Sequence, residues 1–448
     1  MNFPSLVSSS FLLLGAVAFS SSRSEVGSPE PGEAVSDDGV AAVSGPVPAF
    51  VRKGLSWLAE AQHEDGGWGG GSHANQRERD PHAVRVDPGT TAFTAMAFLR
   101  AGHSFEAGEH RETVRRATEL LLGVVEESDA AGPKVTDVVG TQPQAKMGPY
   151  VDTALCAQFF ARALADVDAG SDLGRRLAAA RDKCLRKIEA TQQADGSWGK
   201  GGWAPVLQSS LMRSALEQGA ASGGKVERDR LVAAEAYQRG QVDVESGEIE
   251  AEAAAGIALY ASAGNMRAVA GRAKAAADLV EAAKREGRVD GDAAVDEETL
   301  RRSGATREEA EDLALAVRQN EAAKERAFDD GLLKGFGNNG GEEFLSYLMS
   351  SESLVIDGGA EWGAWREKML ARMEKIQNGD GSWSGHHCIT SPVFCTAAVT
   401  LCLTADRDVE LLRRAARLEA TEPSAAPEGS GDGDASESPK AGEDEDAS

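Results

Sequence analysis

Apolar residues recur every three or four positions along most of the chain, and no stretch alternates apolar with polar for long enough to make a strand. The pattern therefore predicts an all-α protein. Three amphipathic helical segments, KGLSWLAEAQ at 53–62, CLRKIEATQQ at 184–193 and KMLARMEKIQ at 368–377, run into one shared phrase, Q-x-x-D-G-[GS]-W. Its copies extend from Gln62 to Trp68, from Gln192 to Trp198 and from Gln377 to Trp383. Each copy is followed by a second helical segment rich in small residues, at 89–102, 206–219 and 391–403.

The phrase reads as a helix, a sharp turn and a second helix. Asp-Gly supplies the positive φ of a tight reversal, the glutamine can bond backbone groups left free at the end of the first helix, and the tryptophan covers the joint between repeats. Helix pairs are expected at about 50–102, 111–167, 175–219, 227–264, 266–350 and 363–404. The fifth pair joins an outer helix at 266–286 to an inner helix at 341–350, with a polar helical insertion at 288–330 between them. Six pairs whose second helices are lined with small residues suit an α/α toroid, with the second helices as the inner ring.

Composition adds the flanks. The start, MNFPSLVSSSFLLLGAVAFSSS, has a short apolar run and an Ala16-Val17-Ala18 step, and predicts a signal peptide over residues 1–18 and export to periplasm, cell surface or medium. Residues 19–46 read as a disordered linker, and 421–448, with nine acidic residues and one lysine, as an acidic disordered tail. This leaves the folded part at roughly 47–419, with the toroid expected over 47–405. No later stretch is long and apolar enough for a transmembrane helix after signal cleavage. A net charge of -25 argues against a nucleic-acid partner, because no basic face is visible. Five scattered cysteines do not make a disulfide scaffold.

The segment from Lys53 to Trp68 closely resembles the QW repeat of terpenoid cyclases, and the copies at 184–198 and 368–383 share its Q-x-x-D-G-x-W half. On these residues the chain resembles the terpenoid cyclase/protein prenyltransferase superfamily of α/α toroids over roughly residues 47–405. The resemblance implies a central cavity and, as a partner, a lipid-like or isoprenoid ligand or a protein. It does not imply one activity, since unrelated functions share the fold. The Asp-x-Asp-Asp acid motif of the cyclases is broken here, its nearest match being Ala327-Phe-Asp329-Asp330. The prenyltransferase zinc motif is also incomplete, because Gly331 stands where a cysteine would follow Asp329.

Candidate chemistry gathers near the C-terminal end. His386, His387 and Cys388 fall in the loop before the last inner helix, where imidazole and thiolate suit zinc or copper. Cys395 is a further thiol on that helix. The alternative for all of them is ordinary loop and core packing. Glu342 and Glu343 open the fifth inner helix, as capping carboxylates or as a polar rim on the cavity, and with Asp329 and Asp330 they are the candidate catalytic acids. Asp152 reads as the N-cap of the second inner helix. Three functional classes stay open: a ligand- or protein-binding module, a terpenoid-type or metal-dependent enzyme acting in the central cavity, and a structural module that meets partners through the acidic tail and the 288–330 insertion.

Overall fold

The structure, a computed structural model, describes residues 45–199, 202–243, 258–335, 337 and 339–420. The expected signal peptide at 1–18, the linker up to residue 44 and the acidic tail at 421–448 lie outside the described residues. Among the described residues there are fifteen α-helices and no strand, so the protein is all-α.

Most of the helices pair as amphipathic outer and buried inner members. The outer helices are α1 (Ala49–Glu60), α3 (Arg111–Glu127), α6 (Asp172–Thr191), α8 (Arg228–Arg239), α11 (Arg307–Ala327) and α13 (Glu361–Ile376). The inner helices are α2 (Pro88–Arg100), α5 (Val151–Ala163), α7 (Pro205–Ala221), α9 (Ala258–Arg285), α12 (Gly341–Asp357) and α14 (Pro392–Leu403). Two short helices, α4 (Gln142–Met147) and α10 (Glu297–Arg302), and a last one, α15 (Val409–Ala420), complete the set.

Outer helices bury one stripe. In α1 it is Val51, Gly54, Leu55 and Leu58, the i, i+3, i+4, i+7 set of a helix with one dry face. The inner helices are buried over most of their surface, except for the second half of α9, where Asp278, Glu281 and Arg285 are exposed, and every residue of α2 and of α14 is buried. Proline within the first two positions of α2, α7 and α14 fixes their start, where its missing N–H leaves no helical bond unmade. Inner helices pack in order, α2 on α5, α5 on α7, α7 on α9, α9 on α12 and α12 on α14, and α14 packs back on α2.

The three Q-x-x-D-G-[GS]-W loops are nearly superposable in their bonding. Gly66, Gly196 and Gly381 take φ of +95°, +84° and +103°, the left-handed region that the turn requires. Asp65, Asp195 and Asp380 each accept the backbone N–H two residues on, at 2.9, 3.0 and 3.0 Å. Each glutamine amide donates twice, once to its own loop and once to the next outer helix. Gln62 reaches Gly66 O and Thr113 O, Gln192 reaches Gly196 O and Arg230 O, and Gln377 reaches Gly381 O and Phe50 O. Trp68, Trp198 and Trp383 are buried, their indole N–H groups donating back to Leu58 O, Ile188 O and Met373 O at 2.8, 2.9 and 2.8 Å.

Two features differ from the sequence expectation. The joint expected between 264 and 266 is absent, and α9 runs unbroken for 28 residues. Gly264 is a packing residue there, since a Cβ would come within 2.6 Å of Gln238 Oε1 and 2.8 Å of Ser210 Oγ. The outer partner of α9 is α11, from the 288–330 segment, and with α10 and the second half of α9 it buries a small core of its own around Val280, Leu300 and Ala310. Past the last inner helix the chain goes on packing. Helix α15 lies against α7, α9 and α12 and buries Leu412, Ala415 and Ala416.

Candidate functional site

The first turn of α12 and the loop before α14 are drawn together by backbone. Gly341 N donates to Ile389 O at 2.9 Å, and His386 N to Asn339 O at 2.8 Å. The approach needs glycine, because a Cβ on Gly340 would meet His387 O at 2.8 Å and one on Gly341 would meet Ile389 Cγ2 at 2.6 Å. From α4, Gln142 Oε1 accepts the backbone N–H groups of Thr390 and Ser391 at 2.7 and 3.0 Å. Cys388 sits at φ +57°, the one non-glycine residue with positive φ among the described residues. Such a conformation persists only where its surroundings hold it.

This framework brings Glu342, His387 and Cys388 to one point, with one donor atom from each lying within 4.8 Å of the others. His387 Nδ1 stands 3.7 Å from Glu342 Oε1, and its Nε2 stands 3.6 Å from Glu343 Oε1. Glu342 and Glu343 are buried. Glu342 Oε2 accepts Ile389 N–H at 3.1 Å. Glu343 Oε2 accepts Gly340 N–H at 2.7 Å and so caps α12, while its Oε1 accepts the Tyr260 hydroxyl at 3.3 Å. Burial and the neighbouring Glu342 raise the Glu343 carboxyl above its ordinary range, against the opposing pull of His387. Burial and Glu342 likewise push the Cys388 thiol up to about 12, with the Lys146 ammonium working the other way.

Other candidate residues stand apart. His386 is exposed, and Glu342 takes the third place in the cluster that the sequence assigned to it. His386 therefore lies outside the cluster that its neighbours His387 and Cys388 join. Asp329 and Asp330 are both exposed after the end of α11, Asp329 accepting the Gly331 N–H at 2.7 Å and Asp330 pairing with Lys368 at 2.8 Å. Cys395 is buried with its thiol toward Ile389 O at 3.6 Å and is not among the clustered donors. Tyr260 and Lys146 escaped the sequence reading. A lone tyrosine or lysine carries no motif, and only the packing of α9 and α4 brings them here.

A second buried carboxylate pair lies at the starts of α2 and α5. Asp87 accepts Gly70 N–H and Thr90 N–H, both at 2.7 Å. Asp152 does not serve as an N-cap. It is the second residue of α5, and it accepts Gly89 N–H at 3.0 Å and the Gln144 amide at 2.7 Å, tying α5 to α2 and α4. Burial, and then Asp152, push the Asp87 carboxyl up to about 7.

No protein-family model matches this chain, and no curated protein matches it at a significant level.

Proposed function

We propose that the protein is an α/α toroid that holds a divalent metal of the zinc class at one rim, through Glu342, His387 and Cys388, and uses it on a ligand brought there. The cyclic order of inner-helix contacts, α14 returning to α2, supports the toroid. The observation that carries the metal is the convergence of a carboxylate, an imidazole and a thiol within 4.8 Å. Oxygen, nitrogen and sulfur in one set suit zinc, and three protein ligands leave a fourth tetrahedral position free, as in catalytic rather than structural zinc sites.

The surroundings support the same reading. With Nδ1 turned to Glu342, His387 can give its other nitrogen's proton to Glu343, and such a partner fixes the ring and its tautomer in metal-binding histidines. Glu343 is itself held by Gly340 and Tyr260. A metal there would polarise a ligand carbonyl or activate a bound water, which supports a metal-dependent enzyme over a simple binding module.

Metal analysis after purification in the presence of zinc tests this. The parent should retain roughly one equivalent per chain, and Glu342→Gln, His387→Ala and Cys388→Ser should each lose metal affinity by about tenfold or more. His386→Ala should retain it. A parent without stoichiometric metal, or an equal loss in His386→Ala, removes the reading.

A further inference from the structure

The loop between α2 and α3, residues 101–110, is fastened by rings. Phe98, buried near the end of α2, takes the His110 and His103 rings edge-on at centroid distances of 5.2 and 6.1 Å. The two imidazoles meet each other edge-on at 4.7 Å, and Trp68 stacks on the same phenylalanine at 6.0 Å. A Cβ on Gly108 would come within 2.6 Å of His103 Nδ1, so the loop closes directly over that nitrogen. Nδ1 is buried and has no hydrogen-bond partner among the described residues. An imidazolium carries an N–H on both nitrogens, so a charged His103 would hold a dry donor with no acceptor, which is costly. A second cation on the His110 ring beside it would add like-charge repulsion.

We infer that residues 101–110 form an acid-released flap, closed while His103 and His110 are neutral and freed when they take up protons. The flap stands apart from the metal reading. Burial, and then His110, hold His103 below its ordinary range, and burial does the same for His110, with Glu109 opposing both. Two guanidinium groups also stand at the loop. Arg115 Nε of α3 donates to Phe105 O at 2.7 Å, and Arg407 Nη1 lies 3.9 Å from a Cβ built on Gly102. Glu106 on the loop and Arg111 at its exit are exposed. A ring that binds its proton more readily in the open loop favours closure above its ordinary value of 6.5 and opening as the pH falls below it. At pH 5 each ring that must stay neutral to remain packed shifts the balance toward the open loop by up to about thirtyfold. Gly102 and Gly108, at φ +98° and +90°, bracket the flap. Its Phe105 and Glu106 line a cleft of about 610 Å³ together with Thr118, Val167 and Leu173, so release bares Phe98 and enlarges that cleft.

Amide hydrogen exchange read by mass spectrometry on the full chain at pH 7.5 and 5.0, each rate corrected for its intrinsic pH dependence, tests the inference. Peptides spanning 99–112 should lose protection by about tenfold or more at pH 5.0, while those spanning 184–198, around the second tryptophan loop, should keep theirs. His110→Phe keeps a ring to meet Phe98 but has no site for the proton, and it should lose much of the acid response. His110→Gln lacks the site as well and gives the same readout without needing a ring to pack. Glu109→Gln, which removes the opposing carboxylate, should carry the release to lower pH. Equal protection of 99–112 in the parent at both pH values, an equal loss in 184–198, or an acid response unchanged in both His110 variants overturns the inference.

Discussion

Trp68, Trp198 and Trp383 each fill the space between an outer helix and its own inner partner while the indole N–H satisfies a carbonyl ten residues back. Replacing any of them by alanine removes a fully buried ring and the indole bond to that carbonyl, so a loss of about 3–5 kcal/mol is expected in urea unfolding. Phenylalanine should cost less, chiefly the hydrogen bond. The Asp87 carboxyl makes a different prediction. Its folded-state value, raised by burial and by Asp152 from 3.8 to about 7, means that the native protein keeps a proton that the unfolded chain has released. Stability from this group is full below about pH 4 and is lost as pH rises toward 7. Asp87→Asn should flatten that part of the stability profile, and an unchanged slope would show that the pair does not share a proton. These residues divide sharply in legibility. The tryptophans stand in a phrase that contains its own turn, cap and anchor, whereas Asp87 draws its meaning from Asp152 on another helix.

At the scale of the element, the short 3-10 turn at 405–408 and α15 form a fastening that no motif announced. Asp408 Oδ2 accepts from Arg100 Nε and its Oδ1 from Arg162 Nε, both at 2.7 Å, while Arg100 also pairs with Glu352 at 2.8 Å. Burial alone would raise the Asp408 carboxyl, yet Arg100 and Arg162 hold it below its ordinary range. Removing it by Asp408→Ala leaves two guanidinium groups short of a partner in a dry place, at a cost of about 3–5 kcal/mol. Little change in the denaturation midpoint would mean that Glu352 and Asp166 suffice. The sequence pattern showed where amphipathic stretches lie but not where they bend. Gly264 looks like a joint in one dimension and is a contact point against Gln238 and Ser210 in three. The candidate site divides likewise. Glu342, His387 and Cys388 could be singled out because carboxylates at a helix start and a His-Cys step carry chemistry by type. Which histidine joins, and the presence of Tyr260 and Lys146, depend on packing between distant segments.

For the whole molecule, the loops that join repeat to repeat also join the two ends of the repeat series. Gln377 donates to Phe50 O at 2.8 Å, Trp383 meets the Phe50 ring at a centroid distance of 6.2 Å, and Gly54 leaves room for the indole, whose Cζ3 would lie 2.7 Å from an added Cβ. Gly54→Leu should therefore weaken this closure more than a leucine at exposed Ser56 does, as a lower unfolding midpoint. Equal midpoints would mean that α1 and the last loop are not firmly joined. The seam has a bearing on birth as well as on stability. A ribosome delivers α1 long before residue 383, and at ~5–20 residues per second the wait is on the order of tens of seconds. Throughout that interval the apolar stripe of the first helix has no Trp383 to meet, so the nascent chain carries an unclosed, adhesive edge, and chaperones that shelter such edges should determine its yield more than the speed of any single helix.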